Sequence, residues 1–206
     1  IGNFRTALVN FLFARKEKGH FMLRIDDTDH ERSTLEFEKA IIEDLSWMNL
    51  NWDSLEKQST RLKRYDEVLE TLLDKKRAYA CYETADELSL KRKVQLSSGK
   101  PPVYDRSSLR LSDSEIADLK SKGKKPHYRF LLDHSEVTWN DLVKGQGKYH
   151  MSSLSDPVIL REDGRVIYTL ASVVDDIDFE ITHILRGEDH MTNSAAQIQL
   201  FEALGS

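Results

Sequence analysis

Apolar positions at the start of the chain recur every three or four residues. Phe4, Leu8, Phe11 and Leu12 make one helical face, and Gly19 follows as a stop. The period then falls to two. In residues 21–27, Phe21, Leu23 and Ile25 alternate with polar positions, which predicts a strand that ends in carboxylates. Ser33-Thr-Leu-Glu36 has the form of a capping box. The helix it opens gathers Phe37, Ala40, Ile41, Leu45 and Met48 on one face, and a further helix from about Thr60 carries Leu62, Tyr65, Leu69 and Leu72. The opening therefore reads helix, strand, helix, helix.

The texture changes near Ala78. Two more capping boxes, Thr84 to Glu87 and Ser112 to Glu115, head short helices on either side of Gly99-Lys-Pro-Pro102. A basic turn at 120–125 follows, then β-like runs on both sides of residue 135. Residues 79–160 thus read as an inserted unit of mixed α and β. After Pro157 comes a short β-run with a turn at Asp163-Gly164. Leu170, Val173, Val174 and Ile177 predict a helix, Ile181 to Leu185 a buried strand, and Met191 to Leu204 a closing helix with Gly205 as its stop. Alternating helices and strands imply a parallel sheet faced by helices, with an opening strand expected before Ile1.

Composition narrows the class. A chain of 206 residues with 39% hydrophobic content suits one or two domains with a real core. Mean hydropathy is −0.53, and no apolar run approaches the roughly 20 residues of a membrane span. Acidic residues number 35 and basic ones 30, a net charge of −5, so any surface for nucleic acid must be local. Cys81 is the single cysteine, which excludes an internal disulfide and a multi-cysteine metal site and suits the cytoplasm. Ile1 is not a methionine, no signal-peptide pattern is present, and both ends read as cut from a longer protein.

Chemistry concentrates between Val158 and His190. An apolar run that ends in Arg186-Gly-Glu188-Asp189-His190 is either a solvated loop or the ligand-bearing end of a parallel strand. Arg186 could clamp a carboxylate or phosphate in bidentate fashion. Tyr168, at a strand-to-helix turn, offers a hydroxyl or is simply a half-buried aromatic. Asp26-Asp27-Thr28-Asp29 could hold an ammonium or hydrated Mg²⁺, or be a polar strand exit. Asp175, Asp176 and Asp178 read as a helix-borne acidic patch, with Mg²⁺ binding the alternative. Gly2 would let a phosphate approach a helix start that Asn3 could cap. Seven histidines show no metal spacing, and Trp47, Trp52 and Trp139 read as core or boundary residues.

Five separated words then carry a resemblance: IGNFRTAL at 1–8, RIDDTDHERS at 24–33, QSTRLKRY at 58–65, YTLASVVDD at 168–176 and ITHILRGEDH at 181–190. Over essentially its whole length the chain resembles glutamyl-tRNA synthetase, a class I aminoacyl-tRNA synthetase. The resemblance implies an α/β fold: a Rossmann-type parallel sheet split by an inserted α+β domain that binds the tRNA acceptor stem. On this basis 1–78 and 161–206 are the two halves of the catalytic domain and 79–160 is the insertion. The implied activity is ATP-dependent ligation of glutamate to tRNA through glutamyl-adenylate.

The resemblance also implies roles. Gly2 and Asn3 belong to the signature whose leading histidine would precede Ile1, and would meet ATP. Asp26 would hold the α-ammonium of glutamate where the family usually has glutamate. Tyr168 and Ser172 would line the glutamate pocket, and Arg186 would pair with the γ-carboxylate. Glu188, Asp189 and His190 would approach the ribose and adenine. Lys91, Arg92, Lys93, Lys124 and Lys125 are candidates for tRNA phosphates. ATP with Mg²⁺ is the expected cofactor. No zinc is expected, since Cys81 has no partner cysteine. The expected protein is a cytoplasmic monomer without membrane association, and the segment alone is expected to be inactive. The alternatives are a glutamyl-queuosine tRNA(Asp) synthetase, a non-catalytic nucleotide- or tRNA-binding paralogue, and a metal-dependent phosphotransferase built on Asp175, Asp176 and Asp178.

Overall fold

A computed structural model describes residues 2–29 and 32–206, and of Gly2 and Asn3 the backbone alone. The first part runs α1 (Gly2–Lys16), β1 (Met22–Ile25), α2 (Leu35–Trp47), β2 (Ser54–Lys57), a 3₁₀ turn (Gln58–Arg61) and α3 (Leu62–Asp74). β1 and β2 pair in parallel, with Met22 opposite Ser54 and Ile25 opposite Lys57. A parallel pair needs a crossover, and α2 supplies it.

The middle part opens with β3 (Ala78–Cys81) and α4 (Ala85–Ser97), followed by a 3₁₀ turn at Ser107–Arg110 and α5 (Asp113–Ser121). Then come β4 (His127–Phe130), β5 (Glu136–Asp141), β6 (Gly145–His150) and β7 (Val158–Leu160). Here β3, β4 and β7 form an antiparallel sheet in that order, and β5 and β6 a hairpin. Both expected capping boxes form: Thr84 and Ser112 each accept from the amide three residues on, and Glu87 and Glu115 reach back. Within the hairpin Gly147 lies opposite Trp139, and a Cβ at 147 would overlap the indole, so glycine is required there by close approach. The chain ends with α6 (Tyr168–Asp178) and α7 (Met191–Leu204), closed by Gly205 at φ +90°.

One apolar cluster joins these parts. Tyr65, Val68, Leu69 and Leu72 of α3 pack with Phe130, Leu132, Val137, Met151 and Ile159, and with Leu170, Val173, Val174, Ala195 and Leu200 of α6 and α7. Burying each such large side chain contributes about 1.5–3 kcal/mol. α6 is thereby fixed between α3 and α7, and the polar groups it carries are held in place.

Several expectations need correction. Residues 181–187 form no strand, and Ile181 and Ile184 are exposed. They have no ladder partner among the described residues, and an unpaired segment cannot hold strand geometry against solvent. The N-cap of α2 is Thr34, whose hydroxyl accepts from the Phe37 amide, so Ser33 and Glu36 do not make the box. Of the α2 face only Leu45 is buried. Phe37 and Ile41 are exposed and Trp47 stands out at 81% exposure, because no described element covers that face. Asn3 lies inside α1 rather than at its cap. The turn after α1 takes its positive φ at Lys18 rather than at Gly19. A compact chain of this mass would expose roughly 10,000 Å²; this one exposes 13183 Å², in keeping with these uncovered faces.

Candidate active site

α6 presents Tyr168, Ser172 and Asp176 at four-residue spacing, which puts them in one row about 6 Å apart. Tyr168 opens the helix and is partly exposed, its ring 6.4 Å from that of His190. One turn on, Ser172 is buried; its hydroxyl donates to the Tyr168 carbonyl at 2.6 Å and accepts from Gln197 Nε2 at 2.7 Å. The same Gln197 offers Oε1 to Arg186 Nη1 at 2.7 Å. Ser194 accepts from Arg186 Nη2 at 2.6 Å and donates to the His190 carbonyl at 3.1 Å. Tyr168, Ser172, Arg186 and His190 are thus brought together, by way of Gln197 and Ser194. An arginine has five N–H donors in a fixed fork. Two are used here, and both partners are neutral.

Asp26, just past β1, belongs to a different group. Its Oδ1 accepts from Arg24 Nε at 2.8 Å. The same guanidinium reaches Asp176 at 2.9 Å and lies 3.6 Å from Asp175. Burial pulls the Arg24 pKa down, but Asp26, Asp176 and Asp175 outweigh it and hold the group above its ordinary value. Burial pushes the Asp176 carboxyl up, and Arg24 opposes the rise. Asp26 therefore meets the α6 row at its far end, through one shared cation.

The acidic patch on α6 is an ion-pair lock. Asp175 is fully buried and accepts from Gln58 at 2.9 Å, Arg61 at 2.8 Å and the Tyr65 hydroxyl at 2.8 Å. Asp178 receives Arg61 at 2.6 Å and Arg64 at 2.8 Å. Near β1 the cluster is divided as well. Asp27 accepts from the amide and hydroxyl of Ser59, and Asp29 lies 3.3 Å from Arg165. Among the described residues no group of three or more His, Cys, Asp or Glu is arranged to hold a metal ion.

The remaining candidates are more exposed. Glu188 pairs with Lys144 of the β5–β6 turn at 3.0 Å. Asp189 is exposed, and His190 Nδ1 lies 3.2 Å from the Asn193 amide nitrogen. Gly2 and Asn3 belong to the first turn of α1; the Asn3 side chain, like all of Ile1, lies outside what the structure describes.

Sequence comparison decides the family. The model for "tRNA synthetases class I (E and Q), catalytic domain" matches residues 1–206. The chain belongs to this family. It is 57% identical over 204 residues to glutamate–tRNA ligase 1 of Rickettsia bellii, covering 99% of this chain and 46% of the relative. Against glutamate–tRNA ligase 1 of Rickettsia felis it is 56% identical over 206 residues, covering 100% and 46%. The chain thus spans a little under half the length of these relatives. Among solved structures, a glutamate tRNA ligase from Elizabethkingia meningosepticum in complex with its amino acid superposes with a TM-score of 0.91 at 30% identity, covering 99% of this chain and 44% of that one. The mixed α/β fold with a parallel sheet is that of a class I synthetase catalytic domain.

Within this synthetase fold, sequence reasoning missed Gln197, Ser194 and Arg24. A signal existed for the first two: they lie three apart on a helix whose neighbouring Ala195, Ala196 and Leu200 are buried, and polar residues on a buried face need partners. In the middle part, Lys91 is less free than expected. Its ammonium pairs with Glu83 at 3.0 Å and Asp105 at 3.3 Å. Burial pushes the Glu83 carboxyl up, but hydrogen bonds from Ser107, Ser108, Lys91 and Tyr104 outweigh it and hold it at about 2. Arg92, Lys93, Lys124 and Lys125 are exposed. Cys81 is buried, and burial pushes its thiol up.

Proposed function

We infer that this chain forms the glutamate- and ATP-handling part of a glutamate–tRNA ligase. The observation that carries the reading is Arg186. Its guanidinium is fixed by two neutral partners beside Tyr168 and Ser172, and so keeps its charge for an incoming carboxylate. Relatives named glutamate–tRNA ligase at 56–57% identity support the same substrate, and their length is that of a ligase rather than of the shorter glutamyl-queuosine enzyme.

In this reading Arg186 pairs with the γ-carboxylate of glutamate, Tyr168 and Ser172 line the pocket, and Asp26 holds the α-ammonium. The α-carboxylate attacks the α-phosphate of ATP, pyrophosphate leaves, and the glutamyl group passes from the adenylate to the terminal adenosine of tRNA. Positioning and charge stabilisation account for most of the acceleration. Gly2 and Asn3 at the start of α1 meet the phosphates, where the helix amides favour an anion. Glu188, Asp189 and His190 face the ribose and adenine. Mg²⁺ would arrive on the ATP phosphates, since the carboxylates of α6 are engaged by arginines. Residues 79–160 form the insertion that meets the acceptor stem, with Arg92, Lys93, Lys124 and Lys125 on its phosphates. Lys91 serves the insertion's own fold.

Arg186→Ala in the full-length protein tests this. Loss of one partner of a buried charge pair costs about 2–5 kcal/mol, so the glutamate KM should rise strongly while the ATP KM stays nearly unchanged. Equal loss for both substrates contradicts the assignment.

A further inference from the structure

We propose that Gln197 is a positioning residue that orients Arg186 without neutralising it, and thereby sets the preference of the site for an anionic side chain. The proposal rests on the assignment of Arg186 to the substrate carboxylate.

Three other partly buried arginines show the contrast. Arg24, Arg61 and Arg106 each donate to a carboxylate at 2.6–2.9 Å. Among the described residues Arg186 has no such ion pair. Its donors go to Gln197 Oε1 and Ser194 Oγ. A glutamate at 197 would occupy the same volume and still accept from Arg186, yet the chain has the amide.

The reason lies in what an amide can do there. Gln197 is 4% exposed, so both ends of its side chain need partners. The carbonyl end accepts from Arg186, and the NH₂ end donates to the Ser172 hydroxyl, which in turn donates a hydrogen bond to the Tyr168 carbonyl. This relay fixes the amide orientation, ties α7 to the first turn of α6, and aims the guanidinium from behind. A carboxylate at 197 would instead form an internal ion pair. An arginine already paired in a partly buried site gains little from a second anion, so a neutral acceptor preserves discrimination between a carboxylate and its amide analogue.

The test compares Gln197→Glu and Gln197→Met in the full-length protein, with Arg186→Ala alongside. Gln197→Glu should raise the glutamate KM by roughly 30-fold or more, the low end for loss of a buried charge interaction, with the ATP KM unchanged. Its ratio of glutamine to glutamate activation should rise. Gln197→Met, which loses the relay but leaves the charge of Arg186 intact, should lose less for glutamate. The reverse order, with Gln197→Glu near wild type and Gln197→Met the worse, would make Gln197 a purely structural residue and overturn the proposal. If Arg186→Ala spares glutamate, the underlying assignment fails. If Arg186→Ala is damaging and both Gln197 variants are silent, only the proposal fails.

Discussion

Arg24 on β1 and Asp176 on α6 are joined at 2.9 Å across 152 positions of sequence. The same guanidinium holds Asp26, so one cation links the end of the first strand to the helix that carries Tyr168 and Ser172. Arg24→Met should leave three carboxylates facing one another without their shared cation. Removing one partner of a buried pair costs about 3–5 kcal/mol. Urea denaturation of the variant should show a loss of that order, and an unchanged midpoint would mean that the link contributes nothing to the fold.

Asp175 should matter more than Asp178, although both meet Arg61. Asp175 is fully buried with three donors, whereas the Asp178 side chain retains 22% exposure. Asp175→Asn should destabilise by about 3–5 kcal/mol, and Asp178→Asn by roughly 1 kcal/mol or less, the range of solvent-screened pairs. Equal costs in parallel denaturation curves would contradict the burial argument.

Acid should act on the middle part of the chain, β3 to β7, through Glu83. Its carboxyl is held at about 2 in the folded chain against the ordinary 4.5. A depressed carboxyl stabilises fully above its unfolded pKa, and that contribution vanishes as pH falls through the folded value. The loss therefore spans about pH 4.5 to 2 and is on the order of 3 kcal/mol. Glu83→Gln should be less stable than wild type at neutral pH, and the gap should close over that window. A gap that stays constant down to pH 2 would show that ionisation of Glu83 does not stabilise the fold.

Much of this was legible in sequence because it depends on local rules. Capping at Thr84 and Ser112, the turn at Gly164 and the stop at Gly205 follow from side-chain oxygens and glycine conformations next to them in the chain. Three of the resembling words, at 24–33, 168–176 and 181–190, name Asp26, Tyr168, Ser172 and Arg186 as candidates. What could not be read was pairing at a distance. Arg24 meets Asp176, and Gln197 meets both Ser172 and Arg186, only because α6 and α7 pack together. The failed strand at 181–185 makes the same point: apolar residues propose a strand, but only a neighbouring ladder makes one. Likewise the periodicity of Phe37 and Ile41 marks an apolar face on α2 without saying what covers it.

On the proposed function, the full-length protein ligates glutamate to tRNA through an adenylate. The direct measurement is charging of tRNA by the full-length protein with labelled glutamate, ATP and Mg²⁺, scored against glutamine and aspartate. The expected product is glutamyl-tRNA with one pyrophosphate released per ester formed, lost when Arg186 is replaced by alanine. Charging with a different amino acid in preference to glutamate, or binding of glutamate and ATP with no ester formed on any tRNA, would contradict it.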